Sequence, residues 1–467
     1  MKPISLLRFN SLAGYVRDPH VFLISEELEW YQAGNERFLG LVILDRTDRD
    51  YVYVVMARDR LKRFRAVRVE HSFPSRKKAR NALRIELAKC LRQRTDNFYQ
   101  GDEKGEPMDF FRPVVKPEKL NRAFRELSTR GIYPASNLIE EMMHWYEDVD
   151  GNFLEQFQST AFDARLWELY LFALFIELGY AFDRTFQAPD FLCVGLQGKF
   201  FVEATTVNPS NPPVNLADMT REEYYRNYVP IKFGSALYSK LRKRYWELKH
   251  VKGLPLVFAV QDFHEFQSMS WSFYALSEYL YGARNIKRLK ADGSYEDLTE
   301  KVEEYKIGEK VVPAGFFLQP DSENISAVIA NPSGTVAKFN RMGHLAGFGD
   351  DKISIFRNGL CFQDSDVLEP FVVQVNAPDY SETWVEGLTV FHNPRAKHPL
   401  PVHYLPGAAH FYLKNGEIFG SLPPFHPVGS TTFFLHTRGK LSEDTIDVET
   451  RKTLDEKLNV LFKDDLT

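Results

Sequence analysis

Between Phe162 and Asp262 the hydrophobic pattern changes period several times, and that series of periods narrows the folds open to this chain. Asp163–Gly179 (DARLWELYLFALFIELG) places Leu166, Leu169, Tyr170, Ala173, Leu174 and Leu178 at helical spacing and closes on Gly179, a C-terminal stop. Tyr180–Gln187 reads as a strand, Ala188-Pro189-Asp190 as a break, and Phe191–Leu196 as a second strand. Gln197-Gly198 is the expected two-residue turn into a third strand, Lys199–Thr206. A Pro/Asn-rich loop, Val207–Val214, leads to a helix over Phe233–His250 and a buried strand over Leu254–Gln261 that ends at Asp262. The element order is therefore α-β-β-β-α-β.

Strand alternation decides which side chains share a face. In the third strand Phe200, Val202 and Ala204 lie on one face, and Phe201, Glu203 and Thr205 on the other. An ionised Glu203 in so apolar a strand needs a cation or a donor to meet it. Asp190 starts the partner strand, so the hairpin brings its carboxylate toward Glu203, and Glu168 is offered from the preceding helix. Three carboxylates on a water-accessible edge suit a hard divalent cation such as Mg²⁺, which takes oxygen ligands and keeps several waters. Singly each has a plainer explanation: Glu203 paired with an Arg, Asp190 a turn residue after Pro189, Glu168 a half-exposed helix residue. Their joint placement favours the site.

This order with these residues resembles the PD-(D/E)XK nuclease superfamily, the restriction-endonuclease-like fold, in an ExT variant. The matching pieces are Glu168, Pro189-Asp190 and Glu203-Ala204-Thr205, and the resemblance covers Phe162 to Asp262. It implies a metal-dependent phosphodiesterase acting on nucleic acid. Asp190 and Glu203 would be the metal carboxylates, the Ala204 carbonyl a further ligand, and Glu168 an outer or second-metal ligand. The chain departs from the family where the lysine is expected, which holds Thr205. Threonine can hydrogen-bond a water but supplies no positive charge. In this superfamily the lysine sometimes migrates to a neighbouring element, and Lys240 is the best candidate. Lys243, clustered with Arg242 and Arg244 on what reads as a solvated face, and Lys232 are weaker alternatives.

The flanks are less informative. Phe38–Leu44, Asp50–Met56 and Arg63–His71 read as strands and Ser75–Gln93 as an amphipathic helix capped by Ser75. From Arg58 to Arg94 there are 14 Lys/Arg against three acids, a local net of +11, although the 467-residue chain is −4 overall. Such a stretch is either a phosphate-binding face or a surface paired with acids from elsewhere. Residues 96–116 read as a linker, with helices expected over Pro117–Thr129 and Ser136–Tyr146. Ser268–Gly282 reads as an aromatic-rich helix. Val311–Leu318, Ile325–Ile329 and Thr335–Phe339 read as strands, Ala408–Gly420 as a hairpin about Asn415-Gly416, and Asp444–Lys463 as a charged helix. His144 sits in an acidic run, and His392, His398, His403 and His410 match no helix-borne zinc pair.

The expected fold class is α/β (α+β overall), a restriction-endonuclease-like αβββαβ core with β-rich flanks. The expected units are a basic N-terminal module (1–95), a linker with helices (96–160), the nuclease-like domain (161–285) and a β-rich C-terminal region (286–467). Three dispersed cysteines point to a reducing, cytoplasmic setting. Met1–Gly14 lacks an apolar core typical of a signal peptide, and the apolar run at Leu166–Leu178 is too short and too charged to span a bilayer. The expected activity is Mg²⁺- or Mn²⁺-dependent endonucleolytic cleavage, of DNA rather than RNA, in defence against foreign DNA and in a possible homo-oligomer. The alternative is an inactive module of the same fold that binds nucleic acid or a partner protein.

Overall fold

A computed structural model describes residues 1–436 apart from 94–97, 130–133, 149–150, 212–218, 291–294, 351 and 365–366. The helix expected over Asp444–Lys463 lies outside the described residues. The fold is mixed α/β and is organised around several sheets.

The N-terminal unit is a five-stranded antiparallel sheet in sequence order, with main strands Ser25–Ala33, Phe38–Asp45, Tyr51–Arg58 and Phe64–Phe73. The helix Arg76–Leu91 covers one face, because Ala79, Leu83, Leu87 and Cys90 recur at helical spacing and are buried against Phe38, Val42 and Val55. Its N-cap is the expected Ser75, whose hydroxyl accepts from the Lys78 N–H.

The second unit is an eight-stranded mixed sheet. Helix Phe162–Glu177 leads into strands Tyr180–Phe182, Phe191–Gly195 and Gly198–Val207, which pair antiparallel. Helix Val229–Leu241 then crosses to strand Leu256–Asp262, which lies parallel to Gly198–Val207. The order α-β-β-β-α-β stands as read. The sheet continues beyond it through Ala327–Ala330, Thr389–His392, Ala409–Lys414 and Glu417–Ser421.

Two apolar layers sandwich this sheet. The Phe162–Glu177 helix packs on Phe200, Val202, Ala204, Val257 and Ala259, and the Trp167 indole N–H donates to the Ala259 carbonyl at 3.2 Å. The Val229–Leu241 helix packs on the opposite face, on Phe201, Phe258 and Val260. That helix follows a π-turn over Tyr224–Tyr228, in which the Val229 N–H reaches the Tyr224 carbonyl. Pro230 has no N–H to continue a regular α-helical ladder, which accounts for the wider turn just before it.

Several sequence expectations shift. The hairpin turn is Leu196-Gln197, because Gly195 pairs with Gly198. Gly198 opens the next strand at φ +141, where a Cβ would overlap the Tyr404 hydroxyl. The helix expected to run to His250 stops at Leu241, and Arg244, in the left-handed region at φ 51, turns the chain back. Thr335–Phe339 is not a strand: Val336–Leu345 is a helix whose Phe339 and Met342 face the core. Val311–Leu318 divides into the short strand Lys310–Pro313 and a 3₁₀ turn at Phe316–Leu318.

Candidate functional site

Glu203 sits in the middle of Gly198–Val207 on the face covered by Val229–Leu241, and it is 3% exposed. Its Oε1 accepts two hydrogen bonds, from Lys240 Nζ at 2.5 Å and from the Tyr245 hydroxyl at 2.5 Å. No described residue donates to Oε2, so one carboxylate oxygen is saturated and the other is available. Burial and the Glu203 charge push the Tyr245 phenol well up, so it stays a donor.

Asp190 immediately precedes the neighbouring strand, Phe191–Gly195. The antiparallel ladder ends at the pair Phe191 and Val202, and beyond it the Ala204 N–H donates to Asp190 Oδ2 at 2.6 Å. In an extended strand a residue's N–H and C=O point to the same side. The Ala204 carbonyl therefore faces the edge that Asp190 occupies. Burial, then the Glu203 and Glu168 charges, push the Asp190 carboxyl up to about 8, and Lys240 and the Ala204 N–H offset part of this.

Glu168 reaches toward the same place from the Phe162–Glu177 helix. Its Oε2 accepts from Arg165 at 2.7 Å and from the Tyr146 hydroxyl at 3.3 Å. Burial raises its carboxyl despite Arg165. Thr205 is half-buried on the same strand face as Glu203. Of the three lysines considered for the missing charge, Lys240 contacts Glu203. Lys232 instead donates to the Ser210 hydroxyl at 3.1 Å, and Lys243 is exposed with its ammonium 5.7 Å from the Tyr245 ring centre.

Sequence reading missed Tyr245, Tyr146 and Arg165. Tyr245 was assigned to a continuing helix, and only the Arg244 turn carries its hydroxyl under the strand. Oxygen donors of the kind a hard cation takes are therefore gathered here: Asp190, Glu203 Oε2 and the Ala204 carbonyl. Among the described residues no three His, Cys, Asp or Glu side chains form a metal-ligating cluster.

The other candidates resolve as structure. Part of the basic stretch is paired: Arg58 with Glu141, Arg60 with Glu106, Arg63 with Asp59, Arg65 with Asp102, Arg76 and Arg80 both with Glu29, and Arg68 and Lys89 with Glu86. His144 packs inside, 3.6 Å from Glu141. Of the four dispersed histidines, His392 and His410 meet, with Nε2 and Nδ1 2.9 Å apart. Burial pushes both down, His392 to about 4, which makes a neutral pair. Among the described residues no helix is long and apolar enough to cross a membrane. Comparison with family models, curated proteins and solved structures returned no match.

Proposed function

We propose that the chain is a metal-dependent nuclease with a restriction-endonuclease-like core, hydrolysing phosphodiester bonds of nucleic acid, DNA in preference to RNA. The observation that carries this reading is the 2.5 Å contact between Lys240 Nζ and Glu203 Oε1 beside Asp190 and Ala204. A lysine from the following helix supplies the charge that Thr205 does not.

Asp190, Glu203 Oε2 and the Ala204 carbonyl would hold Mg²⁺ or Mn²⁺, with Glu168 behind them; the cation's chemistry is to polarise a phosphoryl oxygen and acidify a bound water. Lys240 uses one of its three N–H donors on Glu203, leaving two for an attacking water and a phosphoryl oxygen. Tyr245 holds Glu203 so that its free oxygen keeps one direction. The ionised form of Asp190 is needed for ligation, so a carboxyl raised to about 8 makes metal affinity climb with pH and makes binding release a proton. A nuclease of this kind suits defence against foreign DNA in the cytoplasm, an analogy at the level of fold.

Nicking of plasmid DNA and of RNA, with Mg²⁺ or Mn²⁺, tests the reading. Glu203→Ala and Asp190→Asn are expected to abolish cleavage, and full activity in both variants would overturn it. One observation favours a second reading, an inactive nucleic-acid- or protein-binding module of the same fold: the described side chains form no three-membered metal cluster. Lys240–Glu203 would then be an ion pair holding helix to strand, and the wild-type chain would cleave neither substrate.

A further inference from the structure

We infer that residues Lys240 to Lys252 form the surface on which the phosphate backbone of nucleic acid docks, an inference that rests on the nuclease reading of the adjoining carboxylates. This stretch (KLRKRYWELKHVK) carries six Lys/Arg and one acid, a net of +5 within 13 residues. Arg242, Lys243, Lys249 and Lys252 are exposed and form no ion pair with a described residue. The stronger basic run at Arg58 to Arg94 pairs eight of its cations with acids but also keeps Lys62, Lys77, Lys78, Arg84 and Arg92 exposed with no ion pair to a described residue, so what distinguishes Lys240–Lys252 is its contact with the carboxylate centre. Free cations, not net charge along the chain, are what a polyanion finds.

The surface is tied to the carboxylates at two points. The Lys243 ammonium lies over the Tyr245 ring, and the Tyr245 hydroxyl donates to Glu203 at 2.5 Å. The His250 Nε2 donates to the Ala188 carbonyl at 2.8 Å, two residues before Asp190. The His250 ring is stacked on Phe186, with centroids 3.8 Å apart and planes 4° from parallel, and Phe186 is 38% exposed. A half-exposed aromatic stack beside free cations and a carboxylate centre is the arrangement that grips a sugar-phosphate strand and stacks a base. Contacts of this kind are independent of sequence, so the interface orients a backbone over the site and does not select bases.

The test is binding in EDTA, where no cleavage interferes. Fluorescence anisotropy would follow a labelled duplex of about 20 base pairs and a single strand of the same length, between about 50 and 200 mM salt. Two variants are compared with the wild type: Arg242→Ala/Lys243→Ala/Lys249→Ala/Lys252→Ala, and a control at the first basic run, Lys62→Ala/Lys77→Ala/Lys78→Ala/Arg84→Ala. All eight side chains are exposed, and circular dichroism verifies that both variants fold. The first variant is expected to bind roughly ten- to a hundredfold more weakly, with the log–log salt slope reduced by about three. The control is expected to match the wild type. Equal loss in both variants, a loss confined to the control, or wild-type binding to anionic phosphatidylserine vesicles but to neither oligonucleotide would overturn the inference. The outcomes also separate the two proposals. Salt-dependent binding through these residues with no cleavage in metal sinks the nuclease and keeps the interface. Cleavage with unaltered binding by the first variant does the reverse.

Discussion

Replacing Asp190 with Asn should stabilise the protein, and by more as the pH rises from about 4 to 8. The Asp190 carboxyl is pushed from 3.8 up to about 8, first by burial and then by the Glu203 and Glu168 charges. The folded chain therefore holds a proton here that the unfolded chain gives up near 4. The stability this provides is fully present below the unfolded value and is lost as pH climbs through the folded one. For an isolated group each unit in that window costs about 1.4 kcal/mol, so the ceiling at pH 7 is about 4 kcal/mol. Asp190 and Glu168 are both raised and interact, so the gain at Asp190 alone is expected to be about 1–3 kcal/mol. Asparagine keeps the local geometry, because its carbonyl oxygen can still accept the Ala204 N–H that Asp190 Oδ2 takes at 2.6 Å. Unfolding entropy of about 2 cal/mol/K per residue makes this a rise of about 1–3 °C in Tm if the chain unfolds as one unit. The assay is thermal unfolding of both proteins in EDTA at steps from pH 5 to pH 9. The difference should be small at the acid end and largest near pH 8. A variant that is no more stable than the wild type at pH 8, or whose difference does not change with pH, would refute the reasoning. Mg²⁺ added in the same experiment should raise the Tm of the wild type and leave the variant where it was, because only a native-state ligand stabilises by mass action.

Other changes read neighbouring parts of the structure. Tyr245→Phe removes one of two donors to Glu203 Oε1 and is expected to cost about 1–2 kcal/mol, and to weaken Mg²⁺ binding in calorimetric titration while folding is retained. Glu203→Ala leaves Lys240, only 20% exposed, without its counter-ion; chemical denaturation should show a loss of about 1–3 kcal/mol, and Glu203→Gln a smaller one. Glu382, 0% exposed, is held bidentate by Arg341 and approached by Lys338 at 3.2 Å, so Glu382→Gln should cost about 3–5 kcal/mol and show as loss of soluble protein. Gly198→Ala should destabilise by more than about 1 kcal/mol in the same assay, because its Cβ meets Tyr404 at a φ of +141.

What the sequence shows of the site follows from how local the determining physics is. The placement of Asp190 and Glu203 was legible, because strand alternation and a two-residue turn are settled within about 15 residues of chain. A one-residue error in the turn, Leu196-Gln197 rather than Gln197-Gly198, left the faces intact, since Glu203 stayed in phase with Phe201. The contact from Lys240 was legible as one of three possibilities. Residues 232, 240 and 243 all lie in or near one amphipathic helix, and choosing among them needs the helix's rotation on the sheet. Tyr245 was not legible, because no pattern in the sequence announces that Arg244 adopts a left-handed conformation.

The same distinction explains the larger misjudgements. Ala327–Ala330 pairs with Leu256–Asp262 on one side and with Thr389–His392 on the other, yet these pairings bridge about 60 to 70 residues of chain. Edge-to-edge hydrogen bonding between distant strands leaves no periodic trace, so only the existence of strands could be read there, not their neighbours. Thr335–Phe339 was read as a strand from a short apolar run, where strand and buried helix are indistinguishable by period. Charge behaves in the same way. A run of arginines records how many cations the chain carries, and pairing with Glu29, Asp102 and Glu141 across the fold decides how many remain free. The richest basic segment therefore spends eight of its cations on ion pairs and keeps others exposed, such as Lys77, Lys78 and Arg84. The shorter one at Lys240–Lys252 keeps its charge exposed, and it keeps it beside the carboxylates.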